Sequence, residues 1–238
     1  NREMPGFRPL YRQVKDLLLQ RMIDGVWPPG LALPSEGLLA QELGVSQGTV
    51  RKALDEMAAE NLLVRRQGRG TFVAEHDEQR ILFQFFKLAP DEGPPSFPDS
   101  RLLRAEEAPA SNAEREKLGL PPGARAIRIR RLRFIGAEPL ILEDISLPER
   151  MFPGLTAGDI PNNLYALYAT RHGAAIAHAR ERLKAVSLKP DEAELLATHA
   201  GEPALLIDRL ALGLDGAAIE WRRSLCLTRG FHYAADLK

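Results

Sequence analysis

The sequence predicts an α+β chain in two parts: a winged helix-turn-helix over residues 1–75, a linker at 76–80, and an antiparallel sheet with covering helices over 81–238. Three observations carry this. Between Leu33 and Ala59 two short helical patterns meet at a glycine-containing turn, and the second opens with polar residues. Two short β-prone runs then flank Gln67-Gly68-Arg69-Gly70, whose glycines permit the positive φ of a tight hairpin. Further on, two longer pairs of β-prone runs are each broken by turn residues, with helical patterns between the pairs.

The first helix comes from Leu10, Val14, Leu17, Leu18 and Met22, which repeat with helical period up to Gly25. Trp27-Pro28-Pro29-Gly30 forces a turn. Leu38, Leu39 and Leu43 give the second helix its apolar face, stopped by Gly44. Ser46 is suited to N-cap the third, where Val50, Leu54 and Met57 face a core. Its other face carries Gln47, Gly48, Thr49, Arg51 and Lys52, groups fit to meet base edges in a major groove. Leu62 to Arg66 and Thr71 to Val73 form the hairpin, with Arg69 at its tip and Arg65 beside it. A basic hairpin after such a helix is a wing suited to phosphates or the minor groove. The competing reading is an ordinary helical hairpin followed by a surface turn.

Glu75 to Gln79 is charged and apolar-poor, as linkers are, and Ile81 to Leu88, with Phe83, Phe85 and Phe86, is strand-like. Asp91 to Asp99 is too proline-rich for regular structure. Leu102 to Glu107 is a candidate strand and Ala113 to Leu118 a short helix. Ala126 to Phe134 and Pro139 to Leu147 form a hairpin around Gly136-Ala137. Asn163 to Arg171 is a helix, Ala179 to Val186 a strand, and Asp191 to about His199 a helix. Ala204 to Leu214 and Ala217 to Leu227 form a second hairpin around Asp215-Gly216. The two hairpins echo each other: Arg131-Leu132 and Arg209-Leu210 precede their turns, and Glu143 and Glu220 follow them.

Length and composition set the bounds. The 238 residues suit two modest domains, and 45% hydrophobic content can build a core. Charge balances at 32 basic and 32 acidic residues, which argues against a nonspecific polyanion binder. Residues 1–75 hold ten Lys/Arg against nine Asp/Glu, so DNA affinity must come from where the cations sit and from dimerisation. A single winged helix contacts too few base pairs for operator specificity; a homodimer on a palindromic site is expected, held by the sheet domain. The lone Cys226 fits a reducing cytoplasm. No apolar run approaches the roughly 20 residues of a membrane span, and no signal peptide precedes Tyr11. Met4 is a candidate start.

In the sheet, alternation puts Ile127, Ile129, Arg131 and Arg133 on one face of a strand, opposite Ile141, Glu143 and Ile145. Buried guanidinium is costly unless paired. One carboxylate for two arginines leaves a cation over, which favours an anionic ligand. The alternative is a structural salt-bridge network with Glu143 and Glu181.

The first 75 residues resemble the winged helix of the GntR family of bacterial transcription regulators. Leu33-Pro34-Ser35-Glu36, Leu43-Gly44-Val45-Ser46, Thr49-Val50-Arg51-Lys52-Ala53-Leu54 and Gly68-Arg69-Gly70-Thr71-Phe72-Val73 carry the match. The resemblance implies DNA binding through Ser35, Ser46, Gln47, Thr49, Arg51, Lys52, Arg65 and the wing residues Gln67, Gly68, Arg69, Gly70 and Thr71. Tyr11 stands where a phosphate contact is common; a core role is the alternative. Gly37 and Gln47 replace arginines usual at those positions, so the operator should differ from the family consensus.

From about Ile81 to Leu237 the chain resembles the HutC-type effector domain called UTRA. Arg131-Leu132-Arg133, Gly136-Ala137-Glu138-Pro139, Glu143, Phe152-Pro153-Gly154-Leu155, Leu164-Tyr165, Glu181, Pro203-Ala204-Leu205 and Gly216 to Glu220 carry it. This implies a chorismate-lyase-like fold and a small anionic metabolite held by Arg131, Arg133, Glu143, Asn163, Tyr165 and Glu220. Phe86 and Lys87 lie near the loop that closes such pockets. Cys226 stands where some relatives have an aromatic, so a stacking contact is lost. The implied function is a DNA-binding repressor released by its effector, with no cofactor or metal.

The alternative is a lyase-like enzyme fused to a DNA-binding module. Against it, the five histidines show no metal-ligand spacing, and no nucleophile elbow or phosphate loop is present. A ligand-free architectural DNA binder would leave the arginine pair unexplained.

Overall fold

The computed structural model describes residues 8–237, without the side chains of 78, 79 and 83, so Met4 lies outside the described residues. The chain divides into two compact units that meet in sequence at Glu75 and His76.

In the first unit, α1 (Leu10–Ile23) starts after Pro9, whose fixed φ suits a helix start. In α2 (Glu36–Leu43), Ser35 Oγ accepts the Leu38 backbone N–H at 3.2 Å, and Gly44 ends the helix in the left-handed region at φ 65°. In α3 (Gln47–Ala59), Ser46 Oγ accepts from Thr49 N at 3.1 Å. The wing is β1 (Leu63–Arg66) paired antiparallel with β2 (Gly70–Val73). Val14, Leu18, Leu39, Val50, Leu54, Met57, Leu63 and Val73 are buried.

Two helix faces differ from the sequence expectation. Leu38 is 60% exposed, and Leu39 and Ala40 are the residues α2 buries. Neighbours on a helix diverge by about 100°, so Leu38 and Leu39 cannot meet one surface. In α1 only Val14 and Leu18 are buried, while Leu10 and Leu17 stay near half exposed.

The second unit is built on a six-stranded antiparallel sheet in the order β4-β5-β6-β9-β8-β7. Its strands are β4 (Asp99–Pro109), β5 (Arg125–Ile135), β6 (Glu138–Pro148), β7 (Ile176–Ser187), β8 (Pro203–Gly213) and β9 (Ala218–Leu227). The hairpins β5–β6 and β8–β9 fall where the sequence places them, and β6 and β9 join them with Glu143 opposite Ser224. One sheet face carries Ile127, Ile129, Ile145, Leu147 and Ile219 against Leu164, Tyr165, Leu167 and Tyr168 of α6 (Leu164–His172). Leu132 and Leu142 pack instead with Ala193 of α7 (Pro190–Leu195), and α5 (Asn112–Leu118) contacts β6 and β9. This is the expected α+β architecture.

The segment after Glu75 departs from expectation. Residues 76–80 are not an open linker, nor is Ile81 to Leu88 a strand: Glu78–Gln84 is a helix, α4. Asp77 Oδ1 caps it by accepting Arg80 N at 2.7 Å. Ile81 and Phe85, one helical turn apart, are both buried in the main core, so the apolar period is that of a helix. The strand begins later, as β3 (Leu88–Pro90), and pairs with β10 (Phe231–Tyr233), a strand with no clear signal in the sequence. Residues 91–98 are irregular, as their prolines dictate.

Candidate functional site

On the sheet face that carries the main core, the apolar layer gives way to a row of charge. Arg131 and Arg133 project from β5 in line with Ile127 and Ile129, because alternate residues share a face. Glu143 lies opposite on β6; its Oε2 accepts from Arg131 Nε at 2.7 Å and its Oε1 from Arg133 Nη1 at 3.2 Å. Arg222 on β9 reaches the same Oε1 at 3.4 Å and grips Glu220 through two bonds of 2.7 and 2.9 Å. The other Glu220 contact is the Tyr168 hydroxyl, which donates at 2.6 Å. On β8, Arg209 donates to Glu181 at 2.9 Å, to Tyr165 Oη at 3.2 Å, and to the Phe85 carbonyl.

Two adjoining cavities, about 290 and 330 Å³ of space including their open mouths, border this row. Phe86, Arg209 and Arg222 line both. The first is completed by Ile81, Phe97, Arg131, Arg133, Asn162, Asn163, Leu164 and Tyr165. The second is completed by Lys87, Leu88, Ile141, Glu143, Ile207, Ser224 and Cys226.

Charge does not cancel here. Among the described residues, four arginines (131, 133, 209 and 222) face three carboxylates (143, 181 and 220), which leaves one cation over. The strain falls on Arg133. It is 2% exposed; among the described residues its Nε has no hydrogen-bond partner, and its Nη2 donates to the Pro98 carbonyl at 3.2 Å. Burial, together with Arg131 and Arg222 and against the pull of Glu143, lowers its guanidinium to about 9. Burial alone would raise the Glu143 carboxyl, but the three arginines hold it well below the ordinary carboxylate range.

Of the residues expected to hold an effector, Arg131, Arg133, Glu143, Asn163, Tyr165, Phe86 and Lys87 border one cavity or the other. Glu220 does not: it is fully buried behind Arg222, which it neutralises. Glu143 joins the arginine pair as expected, whereas Glu181 serves Arg209 instead. Arg209, Arg222, Asn162 and Phe97 escaped the sequence reading. Arg209 had a signal, since it stands in the second hairpin where Arg131 stands in the first. Phe97 and Asn162 sit in loops, where no periodicity marks them.

Asn163 has two bonds besides its place at the cavity. Its Oδ1 caps α6 by accepting Ala166 N at 3.1 Å, and its Nδ2 donates to the His76 carbonyl at 2.8 Å. His76 opens the second unit. Burial lowers its imidazole to about 4, with Arg80 adding to the effect.

On the first unit, Gln47, Gly48, Arg51 and Lys52 are exposed and Thr49 is half-buried along one side of α3. The Ser46 hydroxyl caps α3 and meets Thr49 Oγ1 at 2.8 Å. Arg51 and Arg65 are both held by Glu36, at 2.9 and 3.2 Å, and Arg65 also reaches Asp55 at 2.6 Å. Tyr11 is neither core nor free: its ring lies under Lys52 Nζ at 4.0 Å from the centroid. At the wing tip Gln67, Gly68, Arg69 and Gly70 are exposed and Thr71 half-buried, with Gly68 at φ 71° and Gly70 at φ 108°. Ser35 serves as the α2 cap.

Comparison with known proteins places these features. Residues 10–73 match the bacterial regulatory proteins of the gntR family, and residues 97–232 match the UTRA domain. The chain is 32% identical to the histidine utilization repressor of Pseudomonas putida over 86% of its own length and 82% of the relative's. It is 28% identical to the mannosyl-D-glycerate transport/metabolism system repressor MngR of Escherichia coli, covering 96% of this chain and 95% of that one. Among solved structures, PhnF from Mycobacterium smegmatis is 27% identical with a TM-score of 0.58, over 94% of this chain and 99% of that one. Relatives with these matches are named transcriptional repressors and regulators, and none points to an enzyme. The chain therefore belongs to the GntR family of DNA-binding transcription regulators, in its HutC branch, with a UTRA domain as its second part.

Proposed function

We propose that this regulator is a cytoplasmic homodimeric repressor, released from a palindromic operator by a small anionic effector bound among Arg131, Arg133, Arg209 and Arg222. The observation that carries the reading is the uncompensated buried cation, concentrated on Arg133 with its unpartnered Nε beside a cavity. An incoming anion supplies the missing charge. Gln47 and Thr49 read bases, while Arg51, Arg65, Arg69 and the wing backbone hold phosphates or a groove.

Two contacts support a route from pocket to DNA. Phe97 stacks on Arg133 at 5.2 Å, and the Pro98 carbonyl accepts from both Arg133 and Asn162, so the 91–98 loop is fastened to the anion site. Asn163 borders the cavity and holds the His76 carbonyl, the first residue after the DNA-binding unit. A ligand that binds one arrangement of these groups better than the other shifts the population, and a coupling of about 1–3 kcal/mol makes a usable switch.

One observation favours a structural role instead: Glu143 bonds both arginines of β5. Operator titration decides between them. Arg131→Ala should keep the fold and operator affinity and lose effector release; variants that simply unfold would favour the structural network. Native mass spectrometry of purified protein, read for a retained small molecule, identifies the effector directly.

A further inference from the structure

The DNA-binding unit carries its cations in two states. Lys52 Nζ stands 4.0 Å from the Tyr11 ring centroid and the Arg66 guanidinium 4.8 Å from that of Phe72, contacts that leave the positive charge intact. Arg69 is exposed at the wing tip. Arg51 and Arg65 differ, because both converge on Glu36, the first residue of α2. Glu36 Oε2 accepts from Arg51 Nε at 2.9 Å, and its Oε1 from Arg65 Nη1 at 3.2 Å. One carboxylate on α2 thus joins a cation of α3 to a cation of β1. The Glu36 side chain is 19% exposed, against 59% for Arg51 and 38% for Arg65, so the carboxylate is the sheltered member. Pairs this open to solvent contribute little to stability, so stability does not explain the convergence. Position does. A guanidinium gripped through Nε keeps both Nη groups for DNA, and part of its rotamer freedom is already spent before binding. Arg65 instead spends both Nη groups, one on Glu36 and one on Asp55 at 2.6 Å.

From this shared carboxylate we infer that Glu36 is a positioning residue that sets operator specificity, an assignment that rests on reading α3 and the wing as the DNA face. It fixes Arg51 and Arg65 in one geometry and withholds their charge from DNA of the wrong sequence. Nonspecific binding grows with the number of phosphates a protein neutralises. Glu36 and Asp55 match the charges of Arg51 and Arg65, so these two arginines add little on a random duplex. A duplex that fits the fixed geometry receives Arg51 already aimed.

The test uses the full chain and two DNAs: a duplex enriched from a random pool by the wild type, and poly(dI-dC), each titrated at several salt concentrations. Glu36→Gln keeps the size of the side chain and removes its charge. Its affinity for poly(dI-dC) should rise severalfold, with a salt slope steeper by about 0.9 for each unit on the DNA. Its affinity for the selected duplex should fall, so that the ratio of the two drops by about tenfold or more. Asp55→Asn makes the same change of charge but leaves Arg51 on Glu36, so both affinities should rise together and the ratio should hold. Thermal melts of both variants should match the wild type. A wild-type ratio in Glu36→Gln, or one lowered no further than by Asp55→Asn, overturns the positioning role while keeping the DNA face. Loss of both affinities together with a lower melting temperature makes Glu36 structural and overturns it as well. If Arg51→Ala and Arg65→Ala bind both DNAs as the wild type does, the DNA face itself is wrong and the role of Glu36 falls with it.

Discussion

Arg133→Met and Glu143→Gln should change stability in opposite directions, although both break the same ion pair. The fall of the Arg133 guanidinium from its ordinary value to about 9 corresponds to roughly 5 kcal/mol against carrying the charge in the folded chain. Both that value and the ordinary one lie above neutral pH, so the whole penalty is present at pH 7. Relaxation and water entry reduce it to a few kcal/mol. Methionine has similar length and no charge. Removing the guanidinium leaves Glu143 with Arg131 and Arg222, and leaves the Pro98 carbonyl with the Asn162 side chain at 2.8 Å. The loss is chiefly the Phe97 stack, worth about 1 kcal/mol. Arg133→Met should therefore range from neutral to about 2 kcal/mol more stable without ligand. Glu143→Gln strips Arg131, Arg133 and Arg222 of a shared carboxylate and should cost about 3–5 kcal/mol. Urea denaturation followed by fluorescence of Trp221, which lies on β9 and donates to Asp208 at 2.8 Å, reports the second unit. Repeating the melts with acetate and with inorganic phosphate as probe anions should stabilise the wild type and not Arg133→Met. If Arg133→Met lost more than about 2 kcal/mol, the guanidinium would be structural and the anion argument would fail.

Three further outcomes are expected. Arg51→Ala should weaken operator binding, by about 1–3 kcal/mol if its guanidinium meets a base, and Arg69→Ala should lower the salt slope by about one with little sequence preference; wild-type binding by both would refute the docking. His76 is held neutral in the fold near 4, so the unfolded chain takes up its proton first on acidification: stability should fall between about pH 6.5 and 4, by up to roughly 3 kcal/mol, and His76→Phe should abolish that limb while leaving the loss at lower pH from Glu114, held near 2. Sedimentation at micromolar concentration should show a dimer, and a monomer both free and on DNA would remove the palindrome from the reading.

What the sequence conveyed depended on whether a signal was local. Gly44 and Ser46 marked the helix-turn-helix because a left-handed C-cap and a hydroxyl N-cap are properties of single positions. The hairpins around Gly136 and Gly216 were equally legible, and both glycines sit at positive φ. The segment from Asp77 to Phe86 was misread because a short apolar run fits either period, and its decisive residue, the Asp77 cap, looked like linker charge. For the pocket, alternation placed Arg131 and Arg133 on the right face. It could not show that Arg209 and Arg222, on strands far along the chain, converge on the same cavity. Glu220 and Arg222, two apart on β9, do share a face by alternation, but that Glu220 is fully buried and also held by Tyr168 depends on packing against another element.

The seam between β6 and β9 has a consequence for folding. Ile141 to Ser146 pair with Trp221 to Cys226, and the Arg222 bond to Glu143 spans 79 residues. Within each half of the sheet most of these charges meet a local partner: Arg131 meets Glu143 across 12 residues, Arg209 meets Glu181 across 28, and Arg222 meets Glu220 across 2, while Arg133 shares Glu143 with Arg131. Each three-stranded half thus holds carboxylate partners for its arginines before the seam forms, with Arg133 left to share one, and loop closure makes the distant seam the slower contact. Until it closes, β6 and β9 offer long apolar edges that bear Leu140, Ile141, Leu142 and Cys226, the kind of transient surface that pairs with other chains. Refolding yield should accordingly drop as protein concentration rises, with the loss incurred before the two halves join.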